Sequence, residues 1–123
     1  MNYDVIIIGA GPGGIFSAFE LRDSGKKVAV FECGNMLSKR KCPIDGKKVK
    51  SCIKCKTCSI MSGFGGAGAF SDGKYNITND FGGNLYEHVG KEKALELMEY
   101  VDEVNVKYGG HAPRLYSTAG SRF

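Results

Sequence analysis

Apolar and polar positions follow several distinct rhythms along this chain. The first is a short unbroken apolar run, Val5-Ile6-Ile7-Ile8, of the kind expected for a parallel strand buried on both faces. It runs directly into glycines. Ile15, Ala18 and Phe19 then recur at i, i+3 and i+4, which predicts a helix ending at Gly25. A second apolar run, Val28-Ala29-Val30-Phe31, closes on Glu32, so residues 3–32 read as one strand, helix, strand unit. After a long interval the helical rhythm returns. Ala94, Leu97, Met98, Val101, Val104 and Tyr108 form one stripe of a helix from Lys91 to Tyr108, with Glu92, Glu96, Glu99 and Glu103 elsewhere, and Gly109-Gly110 ends it. Between these elements, residues 75–83 are polar and expected to turn. The tail from His111 to Phe123, punctuated by Pro113, is expected to be loose.

The glycines after the first run carry the strongest chemical signal. Gly9, Gly11 and Gly14 stand at G-x-G-x-x-G spacing between a strand and a helix, with Ala10, Pro12 and Gly13 filling the turn. In that geometry the first glycine permits the tight turn, the second lets a pyrophosphate approach the backbone, and the third lets helix and sheet pack closely. The start of the helix offers N–H groups and the positive end of its dipole to a diphosphate, so no basic side chain is needed there. Glu32 lies eighteen residues beyond Gly14, where a carboxylate can accept hydrogen bonds from ribose hydroxyls and disfavour a 2′-phosphate. Dinucleotide binding is the expected role, and the expected fold class is α/β: part of a Rossmann-like domain.

At 123 residues the chain is expected to be one domain, and 42% hydrophobic residues is ordinary for a soluble protein. The four-residue apolar run lacks a basic leader and is too short for a secretory signal or a membrane span. A cytoplasmic location is expected. The five cysteines agree with it, being odd in number and clustered in one segment.

The net charge of +4 conceals a segregation. Residues 33–58 hold Lys39, Arg40, Lys41, Lys47, Lys48, Lys50, Lys54 and Lys56 against the single acid Asp45, and so carry +7, which leaves −3 on the rest. The same segment holds Cys33, Cys42, Cys52, Cys55 and Cys58, and its Pro43 and Asp45-Gly46 make it a loop. Three thiols in Cys52-x-x-Cys55-x-x-Cys58 can converge on one metal ion or cluster, with Cys42 as a fourth ligand. The spacing matches the first three ligands of a bacterial ferredoxin run, although the Cys-Pro pair precedes the run here instead of following it. Zinc, an iron–sulfur cluster and free redox thiols all stay open, including a disulfide between Cys55 and Cys58. Nucleic acid is not expected as a partner. No aromatic residue lies between Gly34 and Met61 to stack on bases, and the basic residues read as a solvated loop.

A second glycine-rich stretch, MSGFGGAGAFSDGK, occupies residues 61–74. Gly65, Gly66, Ala67, Gly68 and Ser71 allow backbone to lie against a flat or charged ligand, with Asp72 and Lys74 adding polar groups nearby. Together, DVIIIGAGPGG with Glu32, the Cys-Pro and CxxCxxC segment, and SGFGGAGAFSDGK resemble the start of bacterial and archaeal FAD-dependent dehydrogenases within the glutathione-reductase-like flavoproteins. The resemblance implies FAD with its adenosine end at Gly9 to Gly14 and Glu32. It further implies that Gly65 to Ser71 pass near the pyrophosphate or flavin, and that hydride or electrons pass through the flavin, with NAD(P)H a candidate donor. No substrate is implied.

Such flavoproteins need further strands and a substrate domain. Two parallel strands also leave sheet edges unpaired. The chain is therefore expected to be the N-terminal portion of a longer protein, or to rely on a partner chain or self-association. The alternative from a different class is a non-catalytic metal- or partner-binding module that keeps a nucleotide-binding fold. No catalytic acid, base or nucleophile is identifiable. His88 and His111 lack motif context and are expected at the surface or behind the site.

Overall fold

The computed structural model describes residues 2–71, 73–80, 83–111 and, for their backbone, 114–116. The chain divides into two compact units, residues 1–71 and 72–123. The first is built on a parallel pair of strands, β1 (Val5–Ile8) and β2 (Val28–Phe31), joined by helix α1 (Pro12–Leu21). Register runs from Val5 opposite Val28 to Ile8 opposite Phe31. The entry to the pair is pinned by Asp4, whose Oδ2 accepts the Lys27 N–H at 2.7 Å while its own N–H donates to the Lys27 carbonyl at 2.9 Å.

Helix α1 starts where proline is tolerated, with Pro12 in its first turn contributing no N–H. The helix stops at Leu21, short of the expected Gly25. Arg22 and Ser24 then donate to the carbonyls of Phe19 and Leu21, three residues back, and a tight turn replaces the last helical turn.

The expectation that β1 is buried on both faces is corrected. Val5 and Ile7 are half-buried, whereas Ile6 is 57% and Ile8 80% exposed. One helix covers one face of a two-stranded sheet; the other face has no layer on it in this unit.

Residues 33–71 contain no regular element longer than single 3-10 turns at Leu37–Lys39 and Ala67–Phe70. The single acid of the basic segment organises part of it. Asp45 Oδ1 accepts the N–H groups of Lys47, Lys48 and Val49 at 2.9, 2.8 and 2.9 Å. These bonds hold the Asp45 carboxyl below its ordinary range, the one from Val49 most strongly.

The second unit runs β3 (Tyr75–Ile77), α2 (Leu85–Val89), α3 (Lys91–Lys107) and β4 (Arg114–Tyr116), with β3 and β4 parallel. Helix α3 matches the expected stripe in part: Ala94 is buried and Met98, Val101 and Val104 are half-buried, but Leu97 is 38% and Tyr108 69% exposed. The buried acid Asp102 was not anticipated, and its charge, added to burial, raises the Tyr75 phenol above its ordinary range. Two further expectations are corrected. The turn-rich stretch from residue 75 begins with a strand, and the tail expected to be loose contains β4. Residues 1, 72, 81–82, 112–113 and 117–123, including Asp72, Gly82, Pro113 and Phe123, lie outside the described residues.

Gly14 is where helix and strand meet. A Cβ built there would overlap the carbonyl oxygen of Gly9 and stand 3.3 Å from Ile7 Cγ2. Gly14→Ala is therefore expected to destabilise the protein by about 1–3 kcal/mol, since the overlap falls on backbone that cannot swing aside. Urea denaturation followed by circular dichroism checks this through a lowered midpoint at unchanged slope.

Candidate functional site

The glycine turn, Glu32 and the second glycine stretch come together within the first unit. Gly11 caps α1 with no side-chain hydrogen bond to the first turn, and no acidic residue occupies that turn. A Cβ on Gly9 or Gly13 would meet nothing within 4 Å, so that side of the turn is open. The helix N-terminus therefore presents main-chain N–H groups without a competing side chain, the arrangement that suits a diphosphate.

Glu32 extends from the end of β2 back to the turn. Its Oε2 accepts the Ala10 N–H at 2.7 Å, and its Oε1 accepts the Gly34 N–H at 2.8 Å and stands 3.4 Å from the Cys33 thiol. These donors, Ala10 first, hold the carboxyl below its ordinary range. The Ala10 N–H is thus committed to Glu32. Each carboxylate oxygen still has acceptor capacity for a ribose hydroxyl.

The second glycine stretch touches the first through backbone. Gly65 N–H donates to the Ala10 carbonyl at 2.8 Å. A Cβ on Gly66 would stand 3.1 Å from Gly11 Cα and 3.2 Å from Pro12 Cδ, at a φ of +60° that side chains rarely adopt. One on Gly68 would lie 3.8 Å from Pro12 Cγ. Ala67 and Gly68 belong to the short 3-10 turn, and Ser71 follows it as the last residue of the unit. Beside this junction is a cleft of about 510 Å³ lined by Ala10, Gly14, Ala18, Glu32, Gly34 and Phe64 among others.

The residue that sequence reasoning missed is Arg40. Counted among solvated basic residues, it is only 5% exposed. Its guanidinium donates from Nε to the Ser59 carbonyl at 2.8 Å and from Nη2 to that of Ile60 at 2.7 Å. Nη1 donates to the carbonyls of Phe64 at 2.7 Å and Gly66 at 2.8 Å, and the group stands 4.8 Å from the Phe70 ring centroid. The fork of a guanidinium reaches several carbonyls at once, which an ammonium cannot do. The available signal was identity: Arg40 is the one arginine among the lysines of residues 33–58. Close packing of Gly63 against the Arg40 stem confirms how tightly it is held, since a Cβ there would lie 2.7 Å from Cδ.

The cysteines are free thiols, exposed except for half-buried Cys42. Cys42, Cys52, Cys55 and Cys58 line one hollow of about 80 Å³, while Cys33 sits apart beside Glu32. Among the described residues, no three His, Cys, Asp or Glu side chains stand close enough to hold an ion as they are. The Met61 and Ile60 N–H groups, with the Arg40 charge adding less, lower the Cys58 thiol from its ordinary range. His88 and His111 are exposed.

These features define a chain with a strand, a glycine turn and a helix whose start is open, and comparison with known proteins gives its family. The profile of the pyridine nucleotide-disulphide oxidoreductase family matches residues 3–107, and the chain belongs to that family. It is 38% identical over 69 residues to an uncharacterized protein of Clostridium beijerinckii, a match covering 56% of this chain and 13% of that protein. It is 58% identical over 31 residues to a dihydrolipoyl dehydrogenase of Corynebacterium glutamicum, covering 25% of this chain and 7% of the relative. A 39-residue match at 46% identity joins it to achacin of Lissachatina fulica, covering 32% and 7%. The chain thus spans about a tenth of the length of these curated relatives. No solved structure matches it significantly. Among the described residues, no helix is long and apolar enough to cross a membrane.

Two outcomes follow from this geometry. Arg40→Lys keeps a charge but strands most of the carbonyls, and is expected to cost about 2–4 kcal/mol of stability, read from the urea midpoint. For Glu32, a folded pKa below the ordinary 4.5 means its contribution is present above about pH 4.5 and is lost as pH falls through the depressed folded value. Unfolding free energies at neutral and acidic pH are expected to differ less in Glu32→Gln than in the parent. Equal pH dependence in both proteins would contradict the assignment.

Proposed function

We propose that this chain is the FAD-binding part of a flavin-dependent oxidoreductase. The observation that carries the reading is the open, uncapped start of α1, held between the Glu32 carboxylate on one side and the backbone of Gly65 and Gly66 on the other. Family membership supports the redox class, and gives the alternative of a non-catalytic module no support. In this reading FAD supplies an isoalloxazine ring that takes up and passes on a hydride or electrons.

The residues divide the binding work by chemistry. Gly11, Gly13 and Gly14 let the diphosphate approach the helix start, where the dipole and main-chain N–H groups offset its charge. Glu32 accepts from the adenosine ribose hydroxyls, and its negative charge, kept by the Ala10 and Gly34 N–H groups, works against a 2′-phosphate. Gly65, Gly66, Ala67, Gly68 and Ser71 continue along the cofactor beyond the turn. The substrate domain, and strands that pair with the β1–β2 sheet and cover Ile6 and Ile8, come in this proposal from a longer form of the protein or from a partner chain. NAD(P)H is the candidate electron donor, and a cytoplasmic setting suits five free thiols.

Gly13→Asp tests the reading without disturbing the fold. A side chain there meets nothing within 4 Å, and an acid in the first helical turn favours the helix dipole while repelling a diphosphate. The full-length parent is expected to purify yellow and to release FAD on denaturation. The variant is expected to fold with undiminished stability and to bind FAD at least about 100-fold more weakly. Release of NAD in place of FAD would replace the cofactor assignment, and failure of the parent to bind any dinucleotide under reconstitution would overturn the proposal.

A further inference from the structure

The cluster of thiols at Cys42, Cys52, Cys55 and Cys58 has no part in the dinucleotide site described above. All four side chains nevertheless line a single hollow of about 80 Å³, although they come from a loop without regular structure. Four of the five cysteines thus surround one hollow, with Cys33 excluded, which brings the members of a ligand set to one place.

Two local features favour ligation over idle thiols. A main-chain donor already faces one of the sulfurs: Lys54 N–H lies 3.4 Å from Cys52 Sγ. Such N–H···S bonds are the outer-shell contacts that orient thiolate ligands and tune a cluster. The second feature is backbone. Lys54, between Cys52 and Cys55, has a φ of 54°, the one non-glycine in the left-handed region among the described residues. That conformation is strained for an ordinary residue, and it falls between the two cysteines.

From this the geometry points to a [4Fe–4S] cluster held by Cys42, Cys52, Cys55 and Cys58. Zinc sites usually draw their ligands as two pairs from separate strands of chain, whereas three thiols at x2 spacing in one segment are an iron–sulfur pattern. Cys42 supplies the fourth ligand from before the run. The sulfurs do not yet converge closely enough for an ion, so ligation closes the loop, each thiol giving up its proton as it binds. Four thiolates around a cluster leave net negative charge, and exposed Lys41, Lys54 and Lys56, adjacent in sequence to the ligands, offset it.

The protein, purified anaerobically and reconstituted with ferric iron, sulfide and a thiol reductant that supplies two electrons per cluster, is the material for the test. Expected are about four iron and four acid-labile sulfide per chain, a broad brown absorbance and a paramagnetic signal on one-electron reduction. Serine in place of any of the four cysteines is expected to abolish or deplete the cluster, while Cys33→Ser retains it. Should those variants fail to fold, alkylation of the unmutated reconstituted protein decides: the assignment requires Cys33 to be labelled and the other four to be protected. Uniform labelling of all five cysteines, zinc bound without sulfide, or a full cluster in Cys42→Ser would each overturn it.

Discussion

The guanidinium of Arg40 is the interaction on which the order of the first unit depends. Residues 33–71 form no strand or helix long enough to satisfy their own backbone, and the buried apolar residues among those described are only Ala10, Ile77 and Ala94. Burying one alanine methyl contributes about 1 kcal/mol. A charged donor contributes about 1.5–3 kcal/mol net for each hydrogen bond it makes, set against the cost of taking the charge out of water. Arg40 makes four such bonds, all to main-chain carbonyls. Val5, Ile7, Ile15 and Phe19 of α1 and the sheet are only half-buried. The polar tie therefore outweighs the apolar one in shaping residues 59–66.

Glycine is the counterpart of that arginine. Gly63 lies against the Arg40 stem, Gly34 against the Gly63 backbone, and Gly66 against Gly11, each at a distance that a Cβ would violate or strain. Two loops held by a cation and by backbone contact need small residues on both sides. Glu32 completes the set from the sheet, joining Ala10 to Gly34 through one carboxylate. The same groups thus shape the turn and supply its charge pattern, with an acid on one side and helix N–H groups on the other.

The opening unit was legible because its signals are local. Val5–Ile8 and Val28–Phe31 are unbroken apolar runs bounded by polar and glycine residues, and the observed strands coincide with them. Helix α3 was legible for the same reason. Arg40 was not, because nothing in a neighbouring residue distinguishes a buried guanidinium from a solvated one; its partners lie 19 to 26 residues away. Strands β3 and β4 escaped for a related reason, since a three-residue parallel pair formed across two helices has no periodicity to read, only a long-range partner. The exposed face of β1 marks a third limit: an apolar run tells that a strand is suited to burial, not that a covering layer is present.

The placement of Arg40's acceptors also bears on how the two loops communicate. Ser59 and Ile60 follow Cys58 directly, and Phe64 and Gly66 flank the residue whose N–H binds the Ala10 carbonyl of the glycine turn. One rigid planar group therefore spans from the edge of the thiol hollow to the edge of the cleft. A shift of residues 58–60 cannot be absorbed by rotating a flexible side chain, because the fork fixes the relative positions of all four carbonyls. It must either break charge-assisted hydrogen bonds, at a cost of about 1.5–3 kcal/mol each, or carry residues 64–66 with it. Moving is the cheaper response for a segment rich in glycine and poor in side-chain packing. Tightening of the cysteine loop, as proposed above, would in this way reach the glycine turn through backbone.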